Sequence, residues 1–431
     1  MATRRILVLI SLLVLIIVAC TGGPGATPTG APTGTPSAAP TDAPTGTPSA
    51  APTDQPTDVP TDVPTDAPTD APTGGIGEGE GELNLVIWGG YAERGAVDPN
   101  FDWVTPFEQE TGCTVNTTDM TDSNNGVSLM QSGNYDGISA SGDATTRLIQ
   151  GGYVAAIDPT ILPNYANVFP GLKDLPHNTV DGVNYGVPHG RGPNLLMYNT
   201  ETFTEAPTSW DAMWEGGSEY DGQISVYDSS IYIADAALHL MATQPALGIT
   251  DPYQLNQEQF DAAIALLTSQ AANNPLYWSS YTDQIASYAA GDVVVGTTWP
   301  LQVQLLQADD VPVAGVKPEE GTTGWSDTWM MATDAAHPNC MMMWMDHMMS
   351  PEANSQATVW FGEAATSPQA CAAAEALSPG HCEAQHADDE TYWENIYYWS
   401  TPQEDCADDD AATTCKTQED WVQAWTTLRG S

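Results

Sequence analysis

The stretch from Trp299 to Asp327, WPLQVQLLQADDVPVAGVKPEEGTTGWSD, begins and ends with residues suited to holding an organic cation. An indole face attracts positive charge and covers an alkyl chain, while a neighbouring carboxylate accepts N–H bonds. Trp325 and Asp327 stand at i and i+2, so on extended backbone both side chains point to one face. Trp299 follows the apolar run Val293-Val294-Val295-Gly296-Thr297-Thr298, which reads as a buried strand delivering its indole to a loop. The competing reading is a core tryptophan beside a capping aspartate, because aromatic side chains are mostly core material.

Other chemistries have weaker support. The histidines show no HExxH spacing and the cysteines no CxxC pair, so a zinc centre is not expected. Cys340 to Ser350, CMMMWMDHMMS, places six methionines beside His347; a soft-metal site is one reading, and a helix buried on nearly every side, with Met as core filler, is the favoured one. Asp327 and Glu363 are a candidate carboxylate pair for a surface-tethered glycoside hydrolase. Neither lies in a recognisable catalytic arrangement, and with 56 acidic residues chance pairs are expected. The expectation is therefore a binding protein without catalytic residues, metal or cofactor.

The elements that must position these residues read as alternating strands and helices. Leu83 to Trp88 opens as a strand, followed by a helix near Phe101 to Thr111 ended by Gly112, and a second strand from Cys113 to Thr118. Tyr135 to Ser139, a helix over Ala144 to Gln150, and Tyr153 to Asp158 continue an α/β layer. A ligand there would sit at the loops after the strands' carboxyl ends, where Trp88, Ser141 and Asp143 fall. Tyr185 to Asn199 reads as a loop and a long strand, a candidate domain crossing. Beyond it, a helix starting at Thr208 to Asp211, a strand from Gln223 to Asp228, and a capping box at Asn256 to Gln259 indicate a second α/β layer.

The chain has 431 residues, room for two domains once its non-globular parts are set aside. Arg4 and Arg5 precede an apolar run from Ile6 to Ala19, too short for an ordinary transmembrane helix, which marks residues 1–20 as an export signal. Its end, Ile17-Val18-Ala19-Cys20, resembles a bacterial lipobox, implying a lipid on Cys20 that anchors the protein to the outer face of the membrane. A plain signal peptide with a coincidental cysteine is the alternative. Residues 21–80 form a Pro/Thr-rich tether whose repeats, from Thr21 to Gly75, have no apolar face to bury. In polyproline II it would reach at most about 170 Å at ~3.1 Å per residue.

Formal net charge is −47, and the part beyond the tether carries nearly all of it. Nucleic acid is excluded as a partner, cationic ligands are favoured, and the bulk of the charge reads as surface adaptation. Six cysteines follow Cys20, an even number in an exported chain. The simplest pairing joins Cys371 to Cys382 and Cys406 to Cys415, which leaves Cys113 to pair with Cys340.

In their order, LNLVIWGGYAERG, TPFEQETGC, YDGISASGDATTRLIQGGYVAAID, YGVPHGRGPNLLMYN, TSWDAMW, AAGDVVVGTTWP, KPEEGTTGWSD and HPNCMMMWMDHMMSPEA resemble the extracellular solute-binding proteins of ABC importers, most closely the spermidine/putrescine-binding branch. The resemblance implies an α/β, two-lobed periplasmic-binding-protein-like fold of type II, with the ligand in a cleft closed by a hinge. Residues 81–193 and 325–380 would form one lobe, and 194–324 and 381–431 the other. It also implies an extracytoplasmic monomer that delivers a polyamine to a permease.

Carried over residue by residue, the resemblance makes Trp88 an aromatic wall, Ser141 a small polar contact, Asp228 a carboxylate for one ammonium, Trp299 and Trp325 the indoles over the methylenes, and Asp327 a second carboxylate. Gln403 is a further polar contact. Three positions depart from the pattern: Ile231 stands where an acid is expected, and Asp143 and Glu363 stand where aromatics are expected. A sugar or other polar metabolite is the alternative ligand, since stacking on aromatic rings also serves sugars.

Overall fold

The computed structural model describes residues 75–214, 219–406 and 413–430. The signal peptide, the Cys20 anchor and the tether up to residue 74 lie outside the described residues.

Two five-stranded sheets organise the fold. Strand β1 (Glu82–Trp88) pairs in parallel with β2 (Thr114–Met120) and β3 (Gly137–Ala140). After a small hairpin of β4 (Thr179–Val180) and β5 (Val183–Asn184) comes β6 (Val187–Pro188). The order of the first sheet is β2-β1-β3-β14-β6, where β14 (Thr328–Met331) runs antiparallel to both neighbours. Alternation along β1 serves both faces. Leu83, Leu85 and Ile87 pack with the helices Val104–Thr111 and Pro338–Met348, and Val86 packs with Ser123–Met130 and Gly142–Gln150 on the other side.

The chain passes through β7 (Gly192–Pro193) into β8 (Leu195–Asn199). With β9 (Ile224–Tyr227), β10 (Leu276–Trp278), β11 (Val295–Thr298) and β12 (Val313–Val316), β8 builds the second sheet in the order β10-β9-β11-β8-β12. One face packs on helices Ile233–Thr243 and Gln418–Gly430, the other on Tyr281–Ala290 and Pro300–Ala308. Helix Gln257–Ala271 begins with the expected capping box, Asn256 and Gln259 each satisfying the other's backbone N–H, an arrangement worth about 1 kcal/mol. Between the halves, β13 (Thr322–Trp325) pairs with β7 and with β15 (Ile396–Tyr398) in a three-stranded sheet.

Several sequence expectations need correction. Tyr185 to Asn199 is not a loop and one long strand: it is β6, β7 and β8, each in a different sheet, because Pro188 and Pro193 supply no N–H to continue a ladder. Tyr153 to Asp158 forms only isolated bridges at Val154 and Ile157, and Thr208 to Asp211 leads into a single 3₁₀ turn, Trp210–Ala212. The boundary expected at residue 380 also shifts. Cys382, Ala387, Trp393 and Ile396 pack into the first core, and Tyr397 and Trp399 pack on the second. The Cys371–Cys382 disulfide and the Arg191 guanidinium lying 4.0 Å over the Trp393 ring hold that segment to the first half.

Disulfides join Cys113 to Cys340, Cys371 to Cys382 and Cys406 to Cys415. The methionines of helix Pro338–Met348 are core: Met341, Met342, Met345 and Met348 are buried. No helix among the described residues is long and apolar enough to cross a membrane.

Candidate ligand-binding site

Asp327 lies in the two-residue link between β13 and β14, where the chain leaves the middle sheet for the first. Trp325 and Asp327 therefore belong to different surroundings. The half-buried Trp325 packs with the second core, its indole against Gly192, where an added Cβ would come 2.4 Å from Cζ2. Asp327 turns to the first half, accepting the Tyr91 hydroxyl at 2.8 Å and the Ser141 hydroxyl at 2.7 Å. Ser141 also receives the Trp88 indole N–H at 3.2 Å, so Trp88, Ser141 and Asp327 form one chain of bonds. Burial pushes the Asp327 carboxyl up to about 6; the two hydroxyls oppose that shift, and the Glu363 charge adds to it.

Glu363 stands behind this group, fully buried, with Oε1 3.2 Å from His189 Nε2. Trp329 donates to His189 Nδ1 at 3.0 Å, so the ring's proton is on Nε2, facing Glu363. His189 in turn stacks on Tyr91 at 4.1 Å. Two buried carboxylates thus share one aromatic and histidine framework, with Tyr91 and His189 between them.

Asp143 and Asp228 both have partners within the protein. Asp143, in the first turn of helix Gly142–Gln150, accepts Ser123 Oγ at 2.8 Å, and burial raises its pKa against the pull of Arg147. Asp228 is already occupied: Arg429 donates to both its oxygens at 3.1 and 3.2 Å, and Trp425 donates at 3.1 Å. Gln403 accepts from Gln150 at 2.7 Å in a solvent-exposed bond, away from the buried groups.

The second half presents an aromatic box. A narrow cavity of about 10 Å³, hardly room for one water, is lined by Asn194, Ile231, Asp235 and the rings of Tyr227, Tyr232, Trp278, Trp299 and Trp399. Tyr227 meets Trp278 at 4.9 Å and Trp299 at 5.4 Å, and stacks on Trp399 at 5.9 Å. The Tyr227 hydroxyl is pushed well up by burial first and then by the charges of Asp143, Asp122, Asp228 and Asp327, which puts the box within electrostatic reach of the first half. The halves also touch directly, since Thr401 donates to the Asp143 carbonyl at 2.8 Å and an added Cβ on Gly142 would lie 1.7 Å from the Trp399 carbonyl oxygen.

Of the sequence candidates, the structure brings together Trp88, Ser141 and Asp327, and puts Trp299 in the box. Tyr91, Tyr227, Trp278, Trp399, Asn194 and Asp235 were not anticipated. A signal for Asp235 did exist: it follows Ile231 by four residues, one helical turn beyond the position where an acid is missing.

With this geometry in view, residues 102–384 match the model of a family described as bacterial extracellular solute-binding protein. A putrescine/agmatine-binding protein of Pseudomonas aeruginosa is 25% identical over 284 residues, covering 61% of this chain and 75% of that protein. The spermidine/putrescine-binding periplasmic protein of Escherichia coli is 22% identical over 232 residues, covering 53% of this chain and 63% of that protein, less than two thirds of its length. Among solved structures, a spermidine/putrescine ABC transporter substrate-binding protein from Streptococcus pneumoniae superimposes with a TM-score of 0.62 at 18% identity, over 81% of this chain and 97% of that one.

Proposed function

This chain belongs to the bacterial extracellular solute-binding protein family, and we propose that it captures a polyamine-like organic cation between its halves and hands it to an ABC permease for import. It is an extracytoplasmic substrate-binding protein rather than an enzyme. A lipid on Cys20 would keep it at the membrane, where a monomer at the end of a long tether reaches the permease.

One observation carries the polyamine reading: the first half buries the Asp327 carboxylate, held by Tyr91 and Ser141, and its charge reaches Tyr227, one of five aromatic residues lining a cavity in the second half. Carboxylates accept N–H bonds from ammonium groups, and ring faces cover the methylenes between them. Hinge opening would admit the ligand, and closure would exclude water and strengthen each charge-assisted bond. The names of the relatives point the same way. A thermal-shift screen of putrescine, spermidine, agmatine, amino acids and sugars tests the reading, because a ligand that binds only the folded state raises its midpoint. The polyamines should give the largest shifts.

One feature favours a second reading, a sugar or other polar metabolite. The indole N–H groups of Trp278 and Trp399, both lining the cavity, have no hydrogen-bond partner among the described residues, and they would suit hydroxyl acceptors. The same screen decides between the two.

A further inference from the structure

Helix Ile233–Thr243, IADAALHLMAT, is apolar on most sides, yet it buries a carboxylate in its first turn. Asp235 is 8% exposed, and among the described residues no lysine, arginine or histidine is one of the groups that act on it. Its Oδ1 accepts the Thr323 hydroxyl at 3.0 Å, and that hydroxyl accepts the Asn194 Nδ2–H at 2.7 Å. The direction of this chain fixes the Asn194 amide, so its remaining arm is the carbonyl oxygen Oδ1. Asn194 is 6% exposed, and Oδ1 has no hydrogen-bond partner among the described residues. Both residues line the cavity of Tyr227, Trp278, Trp299 and Trp399.

A buried carboxylate without a cation is costly, and so is a buried acceptor without a donor. A primary ammonium group satisfies both at once. We propose that Asp235 and Asn194 form a terminal ammonium subsite in the wall of this cavity, Asp235 taking one N–H as a charge-assisted bond and Asn194 Oδ1 a second. The adjoining methylenes then run between the aromatic faces. The proposal rests on the polyamine reading and goes further, assigning one end of a diamine to a carboxylate one helical turn beyond Ile231. Asp228 is instead paired through both its oxygens with Arg429.

Calorimetric titration with putrescine and with n-butylamine tests this, since the monoamine lacks the second ammonium. The parent should prefer putrescine by roughly tenfold or more. Asp235→Asn keeps an acceptor for Thr323 and should keep the ligand-free thermal midpoint at or above the parent's. It should also lose roughly tenfold or more in putrescine affinity, and with it most of the preference for the diamine. Asn194→Ala should reduce the preference by a smaller factor, and it decides the matter if Asp235→Asn does not fold. Glu258→Gln, on an exposed helix start, should leave both affinities unchanged. A parent that binds putrescine while the Asp235 and Asn194 variants retain its preference overturns the subsite and leaves the polyamine reading standing. A parent indifferent to putrescine overturns both.

Discussion

Ser141 donates to Asp327 at 2.7 Å across 186 positions of sequence, tying the N-terminus of helix Gly142–Gln150 to the link that leads back into the first sheet. That bond does two things. It orients one carboxylate oxygen, and it partly offsets the burial that holds the carboxyl near 6. Cation binding requires this carboxylate to be ionised when the ligand arrives.

Asp327→Asn replaces a charged acceptor with a neutral one in a site closed to water. Losing a charge-assisted bond costs on the order of 2 kcal/mol, so calorimetry should show spermidine affinity falling more than about tenfold. Trp299→Ala should also weaken binding, through lost cation–π and alkyl contact, with less dependence on salt. Equal salt dependence in the two variants would contradict that division of labour.

Affinity should depend on pH. Burial holds Asp327 at about 6 and Asp235 at about 7 in the ligand-free protein, whereas amines stay protonated up to about pH 10. Polyamine binding should therefore be weak near pH ~5, rise through neutrality and level off above the Asp235 value. The stability of the ligand-free protein should move the other way. Both carboxyls bind protons more tightly folded than unfolded, so this contribution to stability falls as pH rises from about 4 towards 7. Asp235→Asn should flatten the fall in denaturant titrations, and an unchanged slope would count against the buried carboxylate.

At Gly142 the halves approach closely. Gly142→Ala would place a methyl group 1.7 Å from the Trp399 carbonyl oxygen, so the two segments must separate. The variant should fold and bind polyamine roughly tenfold or more weakly, with a change in intrinsic tryptophan fluorescence. Parent-like affinity would mean that closure does not use this contact.

The Cys113–Cys340 bridge spans 227 positions and should matter most of the three to stability. Chain entropy alone gives about 5 kcal/mol for a loop that long and about 3 kcal/mol for the short loops. Replacing both cysteines by serine should lower the denaturation midpoint more than removal of Cys406–Cys415, and a non-reducing peptide map should recover all three pairs.

Much of the fold could be read from local pattern. The alternation LNLVIW places β1, and the capping box places helix Gln257–Ala271, because each depends on neighbours a few residues away. The site was less legible because its decisive contacts are long-range. Nothing near Asp228 shows that Arg429, 201 positions on, occupies it. Asp235 is concealed in an apolar helix, and its meaning comes from Thr323, 88 positions away. The i, i+2 relation of Trp325 and Asp327 predicted a shared face only for continuous extended backbone, and the chain changes sheets between them.

The most direct test of the account is calorimetric titration of the purified protein with putrescine, spermidine and glucose at neutral pH and two salt concentrations. The account predicts saturable binding of a polyamine, weakened by salt and by Asp327→Asn, with no heat from glucose. Preference for the sugar over every polyamine, or an Asp327→Asn protein that binds polyamine like the parent, would contradict it.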